Sequence, residues 1–270
     1  MNTHEIVSAF RERARLQPLS NRSKEIRLQT IKLAKPNGGY HFGGSFSAVE
    51  ILLSVFDDER EGDRFIMSKG HGCWPYYVLL QERGLKPILE GHPKLDPSNG
   101  VNFTTGSEGH GMPAALGMAL ARKVMSRPGK IIVLIGDGEC QEGTTWESLL
   151  IGAKQKLNNV VVVIDFNGIQ GSGYLRDILP VDAIGPCANE IGWDVRHVNG
   201  HDIGDLTNAI HCGEMGKPRL VVAHTIKGKG VSFMEDKPEW HAKWVDAEHE
   251  AIAANDLREL PVNSNEVIYA

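Results

Sequence analysis

The chain has 270 residues, 41% of them hydrophobic, enough to bury a sizeable core as one large α/β domain, though length alone would also allow two small ones. A formal net charge of −5 without a cluster of Lys or Arg argues against nucleic acid as a partner, and no apolar run approaches the ~20 residues of a membrane span. Cys73, Cys140, Cys187 and Cys212 show no Cys-x-x-Cys or metal-ligand spacing, and the charged opening MNTHEIVSAFRERARLQ lacks an apolar signal core, so reduced thiols in a cytoplasmic protein are expected.

Residues 3 to 34 mix charged and apolar positions at helical spacing and stop before the breaker cluster Pro36-Asn37-Gly38-Gly39, which predicts a helical arm over about the first 35 residues. Ser45 to Phe56 reads as a helix capped by Ser45 or Ser47, Arg64 to Met67 as a short strand and Trp74 to Arg83 as another helix. Asn102 to Gly111 is a Gly-rich loop running into a helix from about Met112 to Met125. The apolar run Ile131 to Ile135 predicts a fully buried strand, Thr144 to Leu157 an amphipathic helix, and Val160 to Ile164 a second buried strand. Helices near Val181 to Ile191 and Ile203 to Cys212 then alternate with strands Trp193 to Val198 and Leu220 to Thr225. The alternation implies an α/β fold, a doubly wound parallel sheet with helices on both faces. A single domain spans 1 to 270, with a tail from about 246 whose end, Val262 to Ala270, has too few apolar anchors to place.

The most informative text is GDGECQEG, Gly136 to Gly143, followed about thirty residues later by IDFNGIQ, Ile164 to Gln170. The strand, helix and strand around them form one βαβ unit. A right-handed crossover between adjacent parallel strands brings both strand ends to one sheet edge, so Asp137 and Asn167 converge where open α/β sheets bind ligands. Oxygen donors with a single carboxylate suit Mg²⁺ or Ca²⁺ shared with a phosphate ligand. Gly136 and Gly138 permit close backbone approach, and the amides opening the next helix can face phosphate oxygens. The bland alternative for Gly-Asp-Gly alone is a tight turn; Asn167-Gly168 after the next strand weighs against it.

These residues carry a resemblance. GDG with an Asn about thirty residues on resembles the thiamine-diphosphate-binding motif, and the flanking text resembles transketolases. The resemblance implies that Asp137, Asn167 and the Ile169 carbonyl hold the metal. It also implies that His71, His241 and Gly138 hold the cofactor's diphosphate, and that Glu142 supports the cofactor site and the contact between catalytic halves. Glu139, in the same segment, is counted with the cofactor-binding residues.

Several of the eleven histidines stand beside Gly in loops: His41 in GGYHFGGS, His71 in SKGHG, His92 in EGHPK, His110 in GSEGHG. A lone loop histidine is usually a surface residue. HFGGS followed by DRFIMSKGHG, and HTIKGKG followed by His241, look like transketolase text, and the match implies that His41, His92 and His241 face the donor substrate, with His41 also at the cofactor. His110 matches no such position. Imidazole suits proton movement between a hydroxyl and a carbonyl, because it donates and accepts near working pH. TTGSEGHG, Thr104 to Gly111, corresponds to the family's loop along the cofactor, placing Gly106, Ser107 and Glu108 there. Transketolases usually carry Leu at the position of Glu108 and Gln at that of His110. A carboxylate there is suited to binding a substrate hydroxyl or marks an altered substrate.

Full-length transketolases are more than twice as long. The resemblance covers roughly residues 10 to 245 and only the first domain. It therefore implies a thiamine-diphosphate- and Mg-dependent transketolase that passes a two-carbon ketol unit from a ketose to an aldose. Catalysis would require a separate C-terminal subunit in an α₂β₂ assembly. Trp74-Pro75-Tyr76-Tyr77 and the helix bearing Trp146 and Leu149 are candidates for that contact, with core packing as the even alternative. Two other readings are the α subunit of a 2-oxo-acid dehydrogenase and a non-catalytic nucleotide-binding α/β module. The latter fits poorly, since Glu139 and Glu142 stand where a second phosphate would be repelled unless a cation intervenes.

Overall fold

The computed structural model describes residues 3–171 and 173–259. Two helices, α1 (Thr3–Leu16) and α2 (Asn21–Ala34), form the arm. It is broken at Pro18, and Ser20 caps α2 by accepting from the Ser23 amide at 3.0 Å. Then come α3 (Phe42–Ser47), α4 (Val49–Phe56), β1 (Arg64–Met67), α5 (Trp74–Glu82), α6 (Gly111–Val124), β2 (Ile131–Gly136), α7 (Gly143–Lys154) and β3 (Val160–Phe166). A hairpin, β4 (Ile169–Gln170) and β5 (Gly173–Tyr174), leads into α8 (Leu175–Ile178) and α9 (Ile184–Glu190). The last elements are β6 (Asp194–Asn199), α10 (Ile203–His211), β7 (Arg219–His224) and α11 (Ala247–Glu259).

The main sheet is wholly parallel in the order β1-β2-β3-β7-β6. Successive strand residues enter opposite cores, as a two-residue period requires. Ile132, Leu134, Val161, Val163 and Val221 face the core built with α2, α4 and α5, whereas Ile131, Val133, Ile135, Val162 and Val222 face the one built with α6, α7 and α9. Apolar on both faces, these strands are excluded from water and covered on each side.

Three local expectations change. The single helix expected from Ser45 to Phe56 is two, α3 beginning at Phe42 directly after His41 and α4 at Val49, and neither serine caps either one. Ser45 instead donates to the His41 carbonyl (2.9 Å) and Ser47 to the Asp165 carboxylate (2.6 Å). Gly43-Gly44 reads as a loop because glycine disfavours helix interiors. Here it permits close approach, since a Cβ on Gly44 would stand 3.3 Å from the His71 ring. Second, part of the presumed tail is α11; Val262 to Ala270 lie outside the described residues. Third, the aromatic cluster weighed evenly between a partner surface and the core is core: Trp74, Tyr76, Tyr77 and Leu149 are at most 1% exposed. Trp146 is partly buried, its indole N–H donating to the Cys140 carbonyl at 2.9 Å, while Leu150 and Ile151 are the exposed apolar side chains on α7.

Candidate active site

Four neighbouring strands, β1, β2, β3 and β7, end at one edge of the sheet, and the segment after each carries the site. Lys69 and His71 follow β1, Asp137 follows β2, Asn167 and Ile169 follow β3, and Lys227 follows β7. This is where open parallel sheets present ligand sites. The segments enclose a cavity of about 270 Å³ whose lining includes Lys69, His71, Asp137, Asn167, Ile169, Lys227 and His241, together with Glu108, Gly138 and Glu142. A larger cavity of about 650 Å³ runs between α1, β6 and α10. Its charged groups are already paired, Arg13 with Asp205 at 3.2 Å and Arg196 with Asp194 at 2.8 Å, so they converge on no ligand.

The Asp137 carboxylate accepts from the Gly168 amide at 2.6 Å, which ties the β2 end to the β3 end. Asn167 folds back so that its Oδ1 accepts from the Ile169 amide at 3.1 Å. Gly168 has φ +76°, the left-handed conformation that glycine adopts at no steric cost. Burial, reinforced by nearby Asp165, pushes the Asp137 carboxyl up to about 6 against the Gly168 hydrogen bond and the two lysines. A bound cation would return it to the ordinary carboxylate range. The donor set of one carboxylate, one amide oxygen and one backbone carbonyl suits a hard divalent ion. Among the described residues no cluster of three or more His, Cys, Asp or Glu offers an alternative metal site.

The histidines come from distant parts of the chain. The His41 ring centroid lies 5.4 Å from that of His71, 5.3 Å from that of His241 and 6.5 Å from that of His92. His71 and His241 are 5.3 Å apart. Burial leads in lowering each: His41 falls to about 4 with help from His92 and Lys227, His241 to about 3 with help from Lys227, and His71 lies well below its usual value beside Lys69. These rings are therefore neutral at working pH, able to donate from one nitrogen and accept at the other.

Glu108 stands at the cavity mouth, its Oε1 3.5 Å from Nδ1 of His71, and burial raises its carboxyl. Glu142 also lines the cavity. Glu139 does not. It is buried, accepts from the amides of Gly136 (2.8 Å) and Gly109 (3.0 Å) and from Ser68, and braces the loops from behind. Its carboxyl is pushed up to about 7 by that burial. Gly106 and Ser107 lie on the exposed side of their loop, and His92 is exposed beside Gly106. None of these lines the cavity.

A family profile described as the transketolase, thiamine diphosphate binding domain matches residues 24–258. The chain belongs to the transketolase family. One subunit of the apulose-4-phosphate transketolase of Actinobacillus succinogenes is 36% identical over 265 residues, covering 89% of this transketolase chain and 96% of the relative. The 6-deoxy-6-sulfo-D-fructose transketolase subunit SqwG of a Clostridium species is 33% identical, covering 81% and 88%. Human transketolase is 30% identical over 86% of this chain but only 41% of its own length. Among solved structures, transketolase from Campylobacter jejuni superposes with a TM-score of 0.78 over 88% of this chain and 42% of that one, at 23% identity, which establishes the shared fold. This transketolase chain thus corresponds to the thiamine-diphosphate-binding part, and it matches along their length relatives that are subunits. The match sets aside the oxo-acid dehydrogenase and nucleotide-module readings.

Sequence reasoning passed over three charged groups at the candidate site. Asp165, at the end of the β3 apolar run, is fully buried and bonded by Ser47, Lys69 and Thr225, with Asn167 Nδ2 at 3.3 Å. Burial alone would raise its carboxyl, but Lys69 and the two hydroxyls hold it below its usual value. Lys69 and Lys227 sit inside SKGHG and HTIKGKG, motifs read for their histidines and glycines. A lysine flanked by glycine directly after a buried parallel strand was the available signal.

Proposed function

We propose that this chain is the diphosphate-binding half of a two-subunit, thiamine-diphosphate-dependent transketolase. In this reading Asp137, Asn167 Oδ1 and the Ile169 carbonyl hold Mg²⁺ (or Ca²⁺). His71, His241 and Gly138 hold the diphosphate, Glu142 supports the site, and Gly106, Ser107 and Glu108 run along the cofactor. His41, His92 and His241 face the ketose. The observation that carries it is the convergence of those oxygen donors with His41, His71 and His241 at the ends of adjacent strands. Charge supports a shared cation. Glu108, Asp137 and Glu142 line the cavity against Lys69 and Lys227, three carboxylates against two ammonium groups, so an anionic ligand gains from a divalent ion.

The bound cofactor would supply a nucleophilic carbon and an electron sink for breaking the bond between C2 and C3 of a ketose. The chain's own groups anchor the diphosphate and move protons at the substrate hydroxyls through neutral imidazoles. A cavity of about 270 Å³ is small for a ligand pocket, in keeping with a site completed by a second chain in an α₂β₂ assembly. By their names, two relatives act on a phosphorylated and a sulfonated sugar. A ketose with an anionic terminal group is therefore the proposed donor, an aldose the acceptor, in the cytoplasm.

The test assays ketol transfer from a ketose phosphate with cofactor and Mg²⁺, using the chain alone and with its co-purifying partner. Transfer is expected only with both. Turnover by the chain alone would overturn the half-site reading.

A further inference from the structure

The geometry points to Arg11 as a positioning residue that latches the metal-ligand turn of Asn167 to Ile169 from the N-terminal arm. Arg11 lies on α1, before residue 24 where the family match begins. Its Nη1 donates to the Asn167 carbonyl at 2.5 Å and its Nη2 to the Asp236 carboxylate at 2.6 Å. The guanidinium lies so close over the turn that a Cβ on Gly168 would stand 2.8 Å from Nη1. Helix α1 is itself fixed to the sheet. It packs on β6 and β7, and Phe10 stacks on His224 with centroids 5.2 Å apart.

The far side of the latch reaches the other cation-bearing loop. Asp236 adopts φ +57°, an uncommon left-handed conformation for a non-glycine residue, and from it donates its amide to the Lys227 carbonyl at 2.9 Å. Lys227 in turn donates from Nζ to the Ile169 carbonyl at 2.9 Å. A closed ring of hydrogen bonds results: Arg11 to Asn167, along the turn to Ile169, across to Lys227, back through Asp236 to Arg11. Two of the three proposed metal donors belong to this ring, and the third, Asp137, is bonded to the Gly168 amide within it. A fork with fixed donor geometry can hold a carbonyl and a carboxylate at once, whereas an ammonium lacks that planar spacing.

Arg15 supplies a control on the same helix, because it also pairs with Asp236 but makes no hydrogen bond to Asn167. The inference rests on the metal-site reading for its consequence, so the experiment has two arms. In the full chain without ligand, amide hydrogen exchange at Gly168 and Ile169 is compared among wild type, Arg11→Ala, Arg11→Lys and Arg15→Ala. Faster exchange is expected in both Arg11 variants and wild-type behaviour in Arg15→Ala; unchanged exchange in Arg11→Ala overturns the latch. In the second arm, Mg²⁺-dependent binding of thiamine diphosphate is titrated calorimetrically on the assembled complex. Arg11→Ala should weaken it about 10–100-fold, the usual effect of losing a group that orients a metal ligand, with partial recovery in Arg11→Lys. Equal weakening in Arg15→Ala, tracking a common loss of thermal stability, would assign Arg11 a merely structural role. Failure of the wild-type complex to bind the cofactor overturns the proposed function instead, and the exchange arm still decides the latch.

Discussion

The Lys227 ammonium stands 2.8 Å from Nδ1 of His241 while also donating to the Ile169 carbonyl at 2.9 Å. A charged lysine can only donate, so Nδ1 accepts and the His241 proton sits on Nε2. Lys227 thereby sets the tautomer of a proposed proton-transfer group and orients a proposed metal ligand. Lys227→Met, which keeps the apolar stem, should lower kcat by roughly 10²-fold and weaken cofactor binding, with little change in the thermal midpoint. A variant of wild-type turnover would show that His241 needs no such partner.

Removing an imidazole directly gives a second expectation. His41 precedes α3 and its ring stands 5.4 and 5.3 Å by centroid from those of the cavity-lining His71 and His241, and it is not part of either apolar core. His41→Ala should lower turnover of the assembled enzyme by about 10²-fold or more while circular dichroism and melting stay near wild type. Parallel loss of fold and activity would count against a role in proton movement.

Glu108 tests the departure from the usual family residue. Its carboxylate shares the cavity with Lys69, Asp137 and Lys227 and stands 3.5 Å from His71, so it adds negative charge where a diphosphate is proposed to bind. Glu108→Leu should tighten thiamine diphosphate binding by up to about tenfold, the scale of one nearby like charge in a partly screened site. The same change should reduce kcat/KM for the natural ketose if the carboxylate receives a substrate hydroxyl. Glu108→Gln, which retains hydrogen bonding without the charge, should tighten binding and keep more of kcat/KM. Weaker cofactor binding by both variants would refute the repulsion.

Much of this arrangement is legible in the chain. Buried parallel strands announce themselves as continuous Val/Ile runs, and the GDG and Asn-Gly turns follow from where those runs stop. The register Gly136 opposite Asp165 brings the residues just past the two strand ends, Asp137 and Asn167, to one edge. The lysines were harder to read. Lys69 and Lys227 are nearly fully buried, contrary to the rule that lysine is exposed, and only tertiary pairing with Asp165, Ile169 and His241 permits it. Glu139 misled for the complementary reason. It stands two residues from Asp137, yet the 3₁₀ turn Gly138–Gln141 carries its carboxylate to the opposite side, onto three loop donors. The aromatic run was equally consistent with an interface and a core, and burial alone decided for the core.

Behind the site, a buried ion pair holds the Lys227 loop. Arg27 and Glu50, at most 1% exposed, pair at 2.7 and 2.9 Å; Glu50 also accepts from His201 Nδ1 at 2.7 Å, and His201 Nε2 accepts the Ile226 amide at 2.9 Å. Arg27 additionally donates to the Lys229 carbonyl at 2.9 Å. Removing one partner leaves the other charge buried and unpaired, so Glu50→Ala should destabilise the fold by about 3–5 kcal/mol, read as a shift in the urea midpoint. A cost below 1 kcal/mol would mean that water reaches Arg27.

A pH dependence of stability follows from the His197 and His224 pair, whose Nδ1 and Nε2 are 2.9 Å apart. Burial, then His197, pulls His224 down to about 3, and burial also lowers His197. The unfolded chain binds a proton at each near pH 6.5, so it holds more protons than the folded chain in the interval between, and stability falls as pH drops. For His224 alone the loss on going from pH 7.5 to 5.5 is about 1.4 kcal/mol. Replacing it by Phe keeps an aromatic ring against Phe10, which stacks on it at 5.2 Å, and removes the titrating group. Urea unfolding at the two pH values should show a smaller decline for His224→Phe by about that amount. Because the site histidines titrate in both proteins, their contribution cancels in the comparison, and equal declines would place the acid sensitivity elsewhere.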